Sequence, residues 1–253
     1  MRIAIIGTGA IAGYVTQHLA RLPQVTLAGR ITRTPRDGAV TRVADLAAVD
    51  LLVDCAGHSG LAAHGADALA AGLDVLTLSL GALADDALAT RLTRAAQDGG
   101  AVLHLASGAI GALDALRAAR AGGLDRVTYT GTKPPAGWRG SPAAEALDLD
   151  ALRTPATHFT GTAREAALRY PKNANVAAAV ALAGAGFDAT QVVLIADPDG
   201  PGNSHEIAAE GAFGSLHFTV TGAGLPDNPR SSALAAMSVM AAIEAAETRV
   251  RFA

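Results

Sequence analysis

The sequence predicts an α/β protein, with a parallel sheet in its N-terminal part and a second α+β domain after it. Three observations predict this. Short apolar runs alternate with amphipathic segments of about 10–15 residues through roughly the first 110 positions, which is the rhythm of parallel βαβ units. Glycines at 7, 9 and 13 stand between the first apolar run and the first amphipathic segment, and open α/β sheets bind ligands at such strand ends. After about residue 120 the alternation gives way to short runs punctuated by Gly and Pro, the pattern of a sheet with hairpin-like turns.

Each element has its own warrant. Residues 2–6 (RIAII) read as a buried strand ending at Gly7,. Residues 10–22 carry Ile11, Val15, Leu19 and Leu22 at helical spacing, and Pro23 closes them,. Strands are expected at 25–28, 50–55, 74–78 and 101–106, and helices at 59–71 and 82–98; the segment 39–49 has no clear period. In the second part a strand is expected at 126–132, a loop at 133–157, and helices at 163–169 and 173–185. Strands at 192–196, 204–209 and 215–221 then suggest an antiparallel sheet, followed by a helix over 231–246 and a short strand over 248–252. No repeat of 20–50 residues is visible,.

Composition excludes several functional classes. The 253 residues include 20 basic and 23 acidic side chains, a formal charge of −3 without a basic block, so a nucleic-acid partner is not expected. No apolar stretch reaches the ~18 residues of a spanning helix, and the glycines at 7, 9 and 13 make the N-terminus a strand–turn–helix in place of a leader,. Cys55 is the only cysteine, which fits a reducing compartment and a cytoplasmic location. The seven histidines are scattered, and neither H-E-x-x-H nor a cysteine pair occurs, so no metal site is expected. The chain holds 18 Arg but only two Lys, Lys133 and Lys172, and only four Asn: Asn173, Asn175, Asn203 and Asn228. All six lie in the second half, in punctuated segments where sites concentrate.

The turn Gly7-Thr8-Gly9-Ala10-Ile11-Ala12-Gly13 fits G-x-G-x-x-A. Gly7 permits the tight turn, Gly9 admits a pyrophosphate, and Ala12 lets the helix pack on the strand. The helix N-terminus, at Ala10 and Ile11, offers free N–H groups to phosphate. This is the fingerprint of a Rossmann domain. The second strand ends in Gly29-Arg30-Ile31-Thr32-Arg33, without the acid that holds the ribose 2′-hydroxyl of NAD,. Arg30, Thr32 and Arg33 are candidates for a 2′-phosphate, or else a solvated pair of arginines on a loop.

Three further segments carry chemical potential. Cys55-Ala56-Gly57-His58 ends the third strand, where Ala56 and Gly57 leave room for a nicotinamide ribose. His58 is either a substrate or cofactor contact or a loop histidine, and Cys55 reads as a small buried hydrophobe. Ser107-Gly108-Ala109-Ile110-Gly111 is expected to end the fifth strand and start a helix. Asn203-Ser204-His205-Glu206-Ile207 begins a strand of the second domain, and His205 can exchange a proton near neutral pH,.

Together these segments resemble the L-aspartate dehydrogenase family over nearly the full length. The resemblance lies in GTGAIAG at 7–13, CAGH at 55–58, SGAIGALDAL at 107–116, TKPP at 132–135, AREAALRYPKNANVAAAVALAG at 163–184, ADPDGPGNSHEI at 196–207 and LPDNPRSSALAAMSV at 225–239. It implies a homodimer, a Rossmann domain over 1–110 to which 231–253 returns, and an α+β substrate and dimerisation domain over 111–230. It implies that NAD or NADP oxidises L-aspartate to iminosuccinate, which water converts to oxaloacetate and ammonia. The family's catalytic histidine falls on His205, and its nicotinamide-side contacts on Ala109 and Asn175. The two substrate carboxylates need cationic or N–H partners; Lys133, Lys172 and Arg230 are the candidates, with His58 beside them. Family members often carry an acid where this chain has Gly29, which leaves NAD against NADP open. The rival readings are a Rossmann oxidoreductase for another dicarboxylic amino acid or a cyclic imine, and an NAD(P)-binding sensor without turnover.

Overall fold

The computed structural model of the chain describes residues 1–36, 38–171 and 173–250, with the backbone alone at Pro229 and Arg230. These residues divide into two compact units, Met1–Gly108 together with the chain from Ala235 on, and Ala109–Leu234.

The first unit is built on strands β1 (Arg2–Ile6), β2 (Thr26–Ile31), β3 (Leu51–Asp54), β4 (Asp74–Thr77) and β5 (Leu103–Leu105). They form one parallel sheet in the order β2-β1-β3-β4-β5. Helices α1 (Ala10–His18), α2 (His58–Ala70) and α3 (Asp86–Gly99) make the crossovers. The central strands are buried throughout, as in Ile3, Ile5, Leu52, Val53, Val75 and Leu76, which is why they read as unbroken apolar runs. The helix expected over 82–98 starts later. Residues 80–84 form a single 3-10 turn, and Asp85 then caps α3 by accepting from the N–H groups of Ala87 (2.9 Å) and Leu88 (3.1 Å),.

The segment after β5 corrects a further expectation. Residues 107–111 do not start a helix. Gly108 takes a left-handed conformation with φ +71°, its N–H donates to Ser238 Oγ at 3.1 Å, and helix α4 begins only at Leu113.

The second unit comprises α4 (Leu113–Gly122), β6 (Leu124–Lys133), the one-turn helices α5 (Pro135–Trp138) and α6 (Ala143–Ala146), β7 (Ala156–Thr162), α7 (Ala163–Arg169), α8 (Asn175–Ala183), β8 (Gln191–Ala196), β9 (Asn203–Gly211), β10 (Gly214–Gly222), β11 (Gly224–Leu225) and β12 (Asn228–Ser232). Its main sheet runs β10-β9-β6-β8-β7. The sheet is mixed, because β6 and β8 pair parallel while the other neighbours pair antiparallel. The expectation of an antiparallel sheet is corrected by β7, which runs back antiparallel from the Lys133 end of β6 to the Gln191 end of β8, so that β8 then pairs parallel with β6. The end of the expected loop at 133–157 is also strand: β7 starts at Ala156 and runs straight into a capping box. There Thr162 Oγ1 accepts from the Glu165 N–H at 3.2 Å and Glu165 Oε2 accepts from the Thr162 N–H at 2.7 Å,.

The chain returns to the first unit as α9 (Ala233–Glu247), whose Val239 and Ile243 join Ile3, Val15 and Val53 in the core. Residues 248–250 form no strand, and the rest of the strand expected there lies outside the described residues. Among the described residues no helix is long and apolar enough to cross a membrane.

Candidate active site

The first unit carries a cleft of about 570 Å³ at the carboxyl ends of β1, β2 and β3, lined by Gly7, Thr8, Gly9, Thr32, Arg33, Arg36, Cys55 and Ala56 among others. Gly7 has φ +101°, and a Cβ there would lie 3.2 Å from the Ala56 Cβ, so only glycine makes this turn without strain. A Cβ built at Gly9 meets nothing within 4 Å, so the backbone is bare toward the cleft. Gly9 is also the N-cap of α1 and gives no side-chain cap, which leaves the first N–H groups of the helix, at Ala10 and Ile11, available to an anion. Ala12 is fully buried and is the close-packing position of the motif, while Gly13 faces open space. This cradle fits the pyrophosphate of a dinucleotide. Gly7, Gly9 and the N–H groups of Ala10 and Ile11 are the groups that would hold it.

The end of β2 distributes its arginines unequally. The Arg30 guanidinium turns under the glycine turn, where Nη1 donates to the Gly7 carbonyl at 2.7 Å and Nη2 to Thr16 Oγ1 at 2.8 Å. Arg33 and Arg36 line the cleft together with Thr32 and Thr34. Thr32 is buried and donates its hydroxyl to the Thr34 carbonyl at 2.8 Å. At Gly29 a Cβ would lie 2.9 Å from Leu46 Cδ2, so Leu46 occupies the space an acid would enter.

The end of β3 is tied down by a buried carboxylate. Asp54 Oδ2 accepts from Thr77 Oγ1 at 2.7 Å and from Ser79 Oγ at 2.6 Å, and Oδ1 accepts from the Ala56 N–H at 3.0 Å. Burial pushes the Asp54 pKa up, and these hydrogen bonds pull against it,. The network fixes the turn at 55–57, where Gly57 with φ +75° caps α2 and His58 is the first helical residue. Burial, with the Asp54 charge second, pushes the Cys55 thiol up to about 12, which makes it inert at neutral pH.

The second unit gathers the remaining chemistry on one face of its sheet. A strand alternates its side chains, so Val127, Tyr129, Gly131 and Lys133 share a face of β6, and in the antiparallel register Gly131 stands opposite His205 of β9. His205 is 5% exposed, and its Nδ1 lies 2.8 Å from the Tyr129 hydroxyl. Burial first, and then the Lys133 charge, lower the His205 pKa to about 4, so the ring is neutral at pH 7. Lys133 is partly buried. Its Nζ donates to Asn173 Oδ1 at 3.0 Å and stands 4.9 Å from the centre of the Trp138 ring,. Among the described residues no carboxylate pairs with Lys133, and burial lowers its pKa to about 8. Trp138 is in turn packed edge-on by His158, whose Nδ1 meets the Tyr170 hydroxyl at 3.2 Å and whose Nε2 is buried without a hydrogen-bond partner among the described residues.

The structure thus collects Gly7, Gly9, Thr32 and Ala56 in one cleft, and Lys133 and His205 in one cluster of the other unit. Ala109 is buried in the second unit, and Asn175 is the first residue of α8 there. Arg30, a candidate cofactor contact, stands under the glycine turn with its guanidinium bonded to the Gly7 carbonyl and Thr16 Oγ1. Lys172 lies outside the described residues, as does the side chain of Arg230. The sequence reading missed Arg36, Asp54, Tyr129, Trp138 and His158. For Tyr129 a signal existed, an aromatic on the same strand face as Gly131 and Lys133.

Comparison with known proteins agrees with both halves. Residues 7–106 match the NAD binding domain of homoserine dehydrogenase, and residues 114–246 match the family described as aspartate dehydrogenase, C-terminal. The chain is 57% identical to the L-aspartate dehydrogenase of Ruegeria pomeroyi over 261 residues, covering 99% of this chain and 94% of that one. It is 45% identical to the enzyme of that name from Pseudomonas aeruginosa, with 96% of each chain covered. The crystal structure of aspartate dehydrogenase from Thermotoga maritima superposes with a TM-score of 0.77 at 25% identity, covering 100% of this chain and 99% of that one. An archaeal homoserine dehydrogenase in complex with NADPH shares the fold at a TM-score of 0.58 and 11% identity, covering 99% of each chain. A family match over more than half of the chain, and relatives of this identity along nearly all of it, make the protein a member of the L-aspartate dehydrogenase family.

Proposed function

We propose that the chain oxidises L-aspartate with NAD or NADP and water, giving oxaloacetate, ammonium, the reduced cofactor and a proton. The observation that carries this reading is Lys133, a partly buried cation with an amide and an aromatic face for partners and no carboxylate among the described residues. A charge so placed lacks its counter-ion, and a substrate carboxylate supplies one. Lys172, Arg230 and His58 remain candidates for the second carboxylate.

When bound, the nicotinamide supplies the hydride acceptor. The protein's own part is to prepare the amine and then the imine. The substrate ammonium must lose a proton before its lone pair can help expel hydride from Cα. Water must then add to the imine carbon, and a proton must reach the leaving amine. His205 serves these transfers from Nε2, the nitrogen away from Tyr129,. In the free protein burial and the Lys133 charge keep His205 neutral, the state that accepts a proton. The two carboxylates of bound aspartate oppose the Lys133 charge and raise the imidazole pKa toward the working range. Gly7, Gly9, Ala10, Ile11, Thr32, Ala56, Gly57, Ala109 and Asn175 are the proposed cofactor contacts, with Arg30 acting through the glycine turn.

The test is reduction of NAD or NADP, followed at 340 nm, with L-aspartate, D-aspartate, L-glutamate and L-malate in parallel. Turnover confined to L-aspartate supports the reading. Preference for another dicarboxylic acid, or cofactor binding without any turnover, overturns it. The family resemblance further suggests a homodimer, measurable by light scattering. The lone cysteine suits a reducing, cytoplasmic setting, which fractionation of the source cells checks.

A further inference from the structure

We propose that Tyr129 is the positioning residue of His205: its hydroxyl accepts from Nδ1–H and so leaves Nε2 as the ring nitrogen that exchanges a proton with substrate. This rests on the reading of His205 as the proton carrier, and it deepens that reading.

The geometry is built from three positions. Tyr129 is 1% exposed, and its ring leans along β6 over Gly131 to reach the neighbouring strand. Gly131 and His205 face each other in the β6–β9 register, so the phenol crosses the sheet at the one position where its own strand has no side chain. A Cβ at 131 would lie 2.7 Å from Tyr129 Oη, 3.1 Å from Cζ and 3.2 Å from Leu194 Cδ2. No side chain larger than hydrogen fits there while the hydroxyl keeps its 2.8 Å contact with Nδ1. Gly131 therefore clears the slot, and Leu194 walls it.

The chemistry follows from what each nitrogen can do. For Nε2 to take a proton, the neutral ring must carry its hydrogen on Nδ1. That N–H donates to Tyr129 Oη, and the same bond persists when the ring becomes imidazolium. A carboxylate in this place would also fix the ring, but would stabilise the imidazolium strongly. The phenol stays neutral, because burial pushes its pKa upward, so it orients the ring without holding the proton on it.

Three variants of the full chain separate the possibilities. Tyr129→Phe keeps the ring and removes the hydroxyl. It is expected to lower kcat by about 10- to 100-fold, the usual cost of losing such a supporting partner, with the cofactor Kd unchanged. Gly131→Ala, which displaces the hydroxyl, is expected to lower kcat in the same range. The readout that a merely structural role would not move is the tautomer of His205, from ¹⁵N NMR of the labelled protein near pH 7. The wild type is expected to show Nδ1–H, and Tyr129→Phe a shift toward Nε2–H. A wild type with its proton on Nε2, or a Tyr129→Phe protein with normal kcat and tautomer, overturns the inference. His205→Ala is the third arm. If it keeps its kcat, the catalytic reading of His205 itself falls. If it loses kcat while Tyr129→Phe does not, only the role of Tyr129 falls.

Discussion

The proposed clamp at Lys133 ties substrate binding to one measurable ionisation. Burial lowers its pKa from 10.5 to about 8, so its charge is present below that value and lost as the pH rises through it. A dicarboxylate clamped by this ammonium should therefore bind fully near pH 7 and progressively less above pH 8. With a pKa of about 8 the charged fraction is ~0.9 at pH 7 and ~0.1 at pH 9, a roughly tenfold loss of affinity if only the charged form binds. Aspartate is a poor probe of this, because its own amine titrates in the same range. Succinate has two carboxylates and no amine, and both are ionised across the window. The assay is the competitive inhibition constant of succinate against L-aspartate from pH 6.5 to 9.5. In the wild type it should rise roughly tenfold between pH 7 and pH 9. Lys133→Arg should flatten the profile, since a guanidinium keeps its charge throughout, and Lys133→Met should weaken succinate at every pH and also give a flat line. A flat wild-type profile, or an alkaline rise surviving in Lys133→Met, would refute the clamp.

Two more expectations can be tested on the same protein. Arg33→Ala and Arg36→Ala should each weaken NADP more than NAD, because both line the cleft; Arg30→Ala should weaken both cofactors alike, because its guanidinium holds the Gly7 carbonyl. Isothermal titration with the two cofactors decides this, and an Arg30 effect confined to NADP would reverse the assignment. Acid should destabilise the fold through His205, which is held neutral by a pKa lowered from 6.5 to about 4. Its contribution is complete above about pH 6.5 and is lost as the pH falls toward 4, on the order of 3 kcal/mol at most. The difference in unfolding free energy between the wild type and His205→Gln should therefore narrow from pH 7 to pH 4, and a pH-independent difference would contradict a buried neutral imidazole.

What was legible in the sequence was local, and what was not depended on pairing between distant segments. The parallel sheet could be read because its central strands are buried on both faces and stand out as apolar runs between periodic helices,. Gly7 and Ala12 could be read because their spacing is itself the geometry of the turn. Arg30 shows the limit of such reading. Its place at the end of β2 was visible, but its direction is set by Thr16 of α1 and the Gly7 carbonyl, partners on other elements. The mixed order of the second sheet was hidden for the same reason, since β8 joins β6 in parallel because β7 runs back antiparallel between them in the chain and then pairs on the outer side of β8. His205 and Lys133 were each singled out by residue type. Nothing local says that Gly131 faces His205 across a strand pair, and without that register Tyr129 is only an aromatic in a strand. His205 was therefore visible in one dimension as a candidate, while its contact with the Tyr129 hydroxyl emerges only when the two strands are paired.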